Sequence, residues 1–128
     1  MSNYFLLQSI AYYYGKQCFF MPNGYIYLFQ NETDGLIKIG YTRGNINKRR
    51  KQLLTGSSGE ITVVKTILTT LGTTTEAYLH NVFNSKNVRG EWFNLNQEDI
   101  ERVDMLCEKF ENNMKILLDN QNHFVKKT

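Results

Sequence analysis

The chain has 128 residues, enough for one domain with one hydrophobic core and too few for a second independent unit. An apolar share of 41% and a charged share of 21% are ordinary globular values, so disorder is not the default; the start, MSNYFLLQSIAYYY, lacks a basic leader and reads as neither signal peptide nor membrane span. The formal net charge of +3 permits an anionic partner without demanding one.

Residues 3–14 are predicted as a short helix with Tyr4, Leu7, Ile10, Ala11 and Tyr14 on one stripe and Gly15 as its stop. A loop at Met21–Gly24 leads into GYIYLFQ (24–30) and LIKIGYT (36–42), two strands joined by the polar turn NETDG. Side chains alternate along a strand, so Ile26, Leu28, Ile37 and Ile39 share one face. Tyr25, Tyr27 and Phe29 then share the other, with Lys38 and Gly40 opposite them. Tyr27 and Lys38 on one side of a sheet fit either a reactive site or a solvated face carrying amphipathic residues.

INKRRKQLL (46–54) follows as a helix and ITVVKTILTT (61–70) as a third strand, dense in β-branched residues. Between Lys38 and Lys51 the chain carries Arg43, Lys48, Arg49 and Arg50 and no acidic residue, a pattern suited to a phosphate footprint or to a solvated helix face. Thr73 to about Ser85 is predicted as a second helix, opened by a capping box from Thr73 to Glu76, with Glu76, Leu79, His80 and Phe83 on one stripe. Asn96 is expected to cap a long last helix whose apolar stripe is Ile100, Val103, Leu106, Cys107, Phe110, Met114 and Leu117. The final residues, 119–128, read as a frayed tail. Cys18 and Cys107 make neither a disulfide framework nor a zinc site, since there is no C-x-x-C and His80 and His123 are far apart; both are expected reduced and buried, in a cytoplasmic setting.

Taken in order, GYIY (24–27), KIGYT (38–42), NKRRKQL (47–53), TEAYLHNVF (75–83) and RGEWFNL (89–95) resemble the motifs of the GIY-YIG nuclease superfamily. The closest likeness is to its short phage and bacterial branch, which reads K-I-G where others read Y-I-G. The resemblance implies an α/β (α+β) fold with a small central antiparallel three-stranded sheet flanked by helices, in the cytoplasm of a bacterial cell or phage-infected host. Residues 24–95 would form the nuclease-like domain, 1–23 an extension packed on it, and 96–118 its C-terminal helix. It also implies an endonuclease hydrolysing phosphodiester bonds, DNA favoured, with one divalent metal, Mg²⁺ or Mn²⁺. By position Tyr27 matches the first motif's tyrosine, Lys38 stands where most members have the second, Arg49 matches the arginine of the following helix and Glu76 the metal-binding glutamate. His80 resembles the branch's histidine, and the match of Asn94 to a late polar residue stays open. Tyr41, Arg43, Lys48, Arg50 and Lys51 are the expected substrate contacts.

These residue types suit the chemistry. Phosphodiester hydrolysis needs an acceptor for the proton of the attacking water and positive charge where the phosphorus centre becomes more negative. A carboxylate such as Glu76 suits Mg²⁺, and a guanidinium fork suits a phosphate oxygen. A phenol titrates at about 10, so at neutral pH Tyr27 needs Lys38 or the metal beside it; a desolvated lysine can itself be a base, and which of the two takes the proton stays open. Rival readings stand beside each role: Glu76 as a capping residue, His80 as an ordinary core or surface histidine, and Trp92 and Phe93 as core; helical geometry alone does not choose between Arg49, at the edge of the apolar arc of Ile46, Leu53 and Leu54, and Arg50, within it. A catalytically inactive nucleic-acid-binding or protein-interaction module on the same fold is the alternative function, and the N-terminal segment or the last helix could dock a partner or a second copy.

Overall fold

The structure, a computed structural model, describes residues 22–54 and 59–127; the helix expected at 3–14 and Cys18 lie outside these residues. Strands β1 (Gly24–Asn31) and β2 (Ile37–Thr42) form the hairpin expected, in the register Tyr27↔Gly40 and Phe29↔Lys38. The turn is held by short polar side chains, Asn31 Oδ1 accepting from Thr33 N at 2.8 Å and Asp34 Oδ1 from Leu36 N at 3.0 Å, with Gly35 at φ 75°. Helix α1 (Ile46–Leu54) starts on Asn45, whose side chain accepts from Lys48 N at 3.0 Å. Strand β3 (Ile61–Thr69) pairs antiparallel with β1, and α2 (Thr73–Val82) follows.

The sheet has five strands where three were expected, in the order β3-β1-β2-β5-β4. The two additions, β4 (Asn87–Arg89) and β5 (Trp92–Phe93), are too short to show an alternating pattern in sequence; β5 pairs with β2 through two residue pairs, and β4 pairs with β5. Helix α3 (Gln97–Lys127) is capped by Asn96 as expected, and Asp99 makes the cap reciprocal: Asn96 Oδ1 accepts from Asp99 N at 2.8 Å and Asp99 Oδ2 from Asn96 N at 3.0 Å. It runs on to Lys127, past the end near 118 expected from sequence. Its stripe also differs at one place. Leu118 is buried and Leu117 half exposed, because four residues beyond Met114 returns to the inner face at 3.6 residues per turn and three does not. Among the described residues no helix is long and apolar enough to cross a membrane.

Alternation along the strands splits the interior in two. Ile26, Leu28, Ile37 and Ile39 pack with Leu79 of α2, Phe83 at its C-cap, Phe93 of β5, and Val103, Leu106 and Cys107 of α3. Cys107 is free and buried, and burial, with Glu111 and Asp104 nearby, pushes its thiol up to about 12, so it behaves as a small apolar residue. On the opposite face Tyr27, Phe29 and Ile61 are buried under Ile46, Leu53 and Leu54 of α1 and beside Trp92. The solvated-face reading of β1 is therefore corrected: α1 covers it, and only Tyr25 is exposed, at 37%.

Glu111 ties α3 to the turn that launches α2. Its carboxylate accepts from the hydroxyls of Thr69, Thr70 and Thr75 and from Thr70 N, while the Thr69 hydroxyl oxygen accepts from Leu71 N and Gly72 N. The direction in which α2 leaves the sheet is fixed by α3.

Candidate active site

The Thr73–Glu76 capping box does not form. The N-cap of α2 is Gly72 at φ 47°, with no side-chain cap bond. Tyr41 lies so close that a Cβ on Gly72 would sit 2.7 Å from its ring, and a left-handed backbone there suits only glycine. Starting the helix one residue earlier moves Glu76 from the third helical position to the fourth, and its carboxylate is free for another use.

That carboxylate meets two partners. His80, one turn on, brings Nε2 to 3.9 Å from Glu76 Oε2. The same Nε2 lies 2.9 Å from the Ile39 carbonyl oxygen, which only accepts, so Nε2–H donates there and Nδ1 is the ring nitrogen left to face a ligand. Phe93 packs its ring edgewise on the imidazole at 5.0 Å between centroids. The third member is Glu91, at the tip between β4 and β5, whose backbone carbonyl accepts from Ile39 N at 3.1 Å. One ligand atom from each of Glu76, His80 and Glu91 lies within 4.8 Å of the others.

From the other face of the sheet come Tyr27, Lys38 and Arg49. Arg49 Nε donates to the Tyr27 hydroxyl at 3.2 Å, and its Nη1 donates to Gln52 at 3.2 Å. The bond to Tyr27 raises the guanidinium's pKa further above its ordinary value, so it stays charged. The Tyr27 ring lies flat across Gly40, where a Cβ would fall 2.3 Å from its Cζ, and stacks on Phe29 at 4.1 Å. The glycine of K-I-G is thus the space the phenol occupies. Lys38 corrects one expectation: its ammonium is bound to Glu91 Oε1 at 3.0 Å and lies 5.7 Å from the centre of the Trp92 ring, so the cation hydrogen-bonded to Tyr27 is Arg49. Burial raises the pKa of Glu76 most, Glu91 adds to it, and His80, Lys38 and Arg49 oppose. Groups from both faces therefore sense one another at the edge of β2, beyond the two residues that β5 covers.

Two carboxylates and an imidazole are a donor set suited to a divalent cation, and the Ile39 carbonyl orients the imidazole as backbone carbonyls behind ligating histidines do in metal sites. Beside Glu76, the carboxylate expected, stands a second one, Glu91. Glu91, not singled out from sequence, lies inside R-G-E-W-F; its signal was an acidic residue at the centre of that motif.

The expected substrate contacts are spread differently. Tyr41 is wedged between Gly24 and Gly72, and its hydroxyl accepts from Arg43 Nε and donates to Asn23 Oδ1, each at 3.3 Å. Arg50 donates to the Ile61 carbonyl at 3.3 Å, a bond that ties α1 to β3. Arg43, Lys48 and Lys51 are exposed. Asn94 bonds through its backbone N–H to Lys86 O at 2.8 Å.

No curated protein and no solved structure matches the chain. A family match covers residues 24–111, well over half its length, from the first residue of β1 into α3. The chain belongs to the T5orf172 domain family, a GIY-YIG-related and nuclease-associated group.

Proposed function

We propose that the protein is an endonuclease that hydrolyses phosphodiester bonds in nucleic acid, DNA before RNA, in the K-I-G branch of the GIY-YIG nucleases. The observation that carries this reading is the convergence of Tyr27 and Arg49 from one face of the sheet with Glu76, His80 and Glu91 at the same strand edge. Glu76, His80 and Glu91 would hold one divalent ion, Mg²⁺ or Mn²⁺, which when bound supplies positive charge against the non-bridging phosphate oxygens. The Tyr27 phenol, whose oxygen accepts from Arg49, first gives its proton to solvent; the phenolate, stabilised by the Arg49 N–H, then takes the proton of the attacking water and returns to the neutral phenol. The remaining guanidinium N–H groups of Arg49 face a phosphate oxygen, where a planar fork binds best. Lys48, Lys51 and Arg43 steer the polyanion and set the salt dependence of binding.

The test is incubation of the purified protein with supercoiled plasmid and with single- and double-stranded oligonucleotides, in Mg²⁺, Mn²⁺ or EDTA. Glu76→Ala and Tyr27→Phe run beside the wild type. Metal-dependent nicking that Glu76→Ala abolishes without loss of fold supports the reading, and full activity in that variant sinks it. Substrate left intact in every lane points to a binding module on the same fold.

A further inference from the structure

The Lys38–Glu91 pair is not an ordinary surface salt bridge. The Lys38 side chain is only 12% exposed, it lies near the Trp92 ring, and its ammonium reaches Glu91 at 3.0 Å. Glu91 in turn is one of the three ligand-bearing residues whose donor atoms gather within 4.8 Å. One carboxylate therefore faces a monovalent cation fixed on the protein and a place where a divalent cation would bind. Without Lys38, two carboxylates with one neighbouring guanidinium would share this half-buried edge, a costly arrangement for a metal-free protein. The lysine neutralises part of that charge through a side chain that cannot diffuse away.

We propose that Lys38 is a resident counter-cation of the metal site, so that its ammonium and a divalent ion compete for Glu91. This deepens the nuclease reading and rests on it. The lysine in K-I-G then has a role that a tyrosine could not fill: it keeps the Glu76–Glu91 pair charge-compensated while no metal is bound. Once Glu91 turns to the ion, Lys38 becomes an unpaired cation on the face that carries Tyr27 and Arg49.

The competition fixes the sign of two substitutions. Glu91→Gln removes a charged ligand and should weaken Mn²⁺ binding, by on the order of 10- to 100-fold. Lys38→Met removes a competitor and a like charge, and should tighten Mn²⁺ binding by roughly tenfold, about what one charge contributes across a few ångströms of a partly solvated site. Lys38→Gln keeps a donor to Glu91 without the charge and should move the same way, which guards against a packing effect of methionine on Trp92.

The experiment is titration of the full chain with Mn²⁺ alone, without nucleic acid. It is followed by calorimetry and by loss of the free-ion electron paramagnetic signal, for wild type, Glu76→Gln, Glu91→Gln and both Lys38 variants. Thermal melts confirm that each is folded. Weaker binding in Glu91→Gln together with tighter binding in the Lys38 variants supports the inference. Lys38 variants that bind no more tightly than wild type overturn it, as does Glu91→Gln binding unchanged. If Glu76→Gln alone loses the ion, the metal-dependent reading stands and the competition falls. If wild type takes up no Mn²⁺, both fall.

Discussion

The two faces of the sheet are built from alternate residues of the same strands and are filled in opposite ways. Towards α2 and α3 the strands present Ile26, Leu28, Ile37 and Ile39, which pack into one large apolar cluster. Towards α1 they present Tyr27 and Phe29 as a smaller core, and at its margin the ammonium of Lys38 and the guanidinium of Arg49 lie beside Trp92 and Tyr27. A face that needs nothing from its side chains except volume can be closed completely. A face that must hold a guanidinium against a phenol has to stop short of closure. The candidate site lies at the strand edge where the two meet, with Glu76 and His80 carried round from the closed side by α2.

The comparison breaks if substitutions on the two faces have the same consequence. Leu79→Ala empties part of the closed core and should cost about 2–5 kcal/mol of stability. Its kcat per folded molecule should stay near wild type at a temperature where it remains folded. Arg49→Ala should do the reverse, lowering kcat roughly 10²- to 10³-fold, the usual loss for a fixed donor aimed at developing charge. Its melting should shift little, since the site is half solvated. Denaturant melts paired with cleavage rates of the two variants decide the matter.

A milder change sharpens it. Gly40→Ala adds one methyl group where the Tyr27 ring lies, and the ring must move to admit it. Overpacking of this kind should cost about 1–3 kcal/mol, and it should also lower kcat, because the displaced phenol loses Arg49. A variant that is destabilised yet cleaves at the wild-type rate would show that the position of Tyr27 is not critical.

Legibility in the sequence followed the range of the forces involved. The β1–β2 register, the sorting of their side chains to two faces and the bounds of α1 follow from local alternation and turn chemistry, and the structure agrees with each. Glu76 and His80 were placed by motif order, and four residues of helical spacing put them together. What escaped depended on contacts between distant segments. Glu91 reaches Lys38 only because a three-residue and a two-residue strand fold back on β2. The capping box at Thr73 was locally persuasive and was overridden by a ring from β2 that shifts the helix start to Gly72. Arg50 fell within the apolar arc of α1, and the carbonyl that takes its N–H belongs to β3.

The smallest effect bears on the edge where the faces join. Burial, reinforced by Glu91, raises the pKa of Glu76 in the folded protein above its ordinary value. The folded chain then binds that proton more tightly than the unfolded one, so this contribution to stability is present at acid pH and is lost as pH rises through the raised value. At neutral pH the ionised carboxylate is a net cost to the fold. Glu76→Gln should therefore melt slightly above wild type at pH 7 in EDTA while losing cleavage. Below about pH 4, where wild-type Glu76 is itself protonated, the difference should close. Added Mn²⁺ should reverse the order at pH 7, because the ion stabilises only the chain that binds it. Melts of both proteins with and without Mn²⁺ at the two pH values read this directly. A Gln variant less stable than wild type in EDTA at pH 7 would mean that Glu76 holds the fold together, and that activity lost on its removal could not be assigned to chemistry.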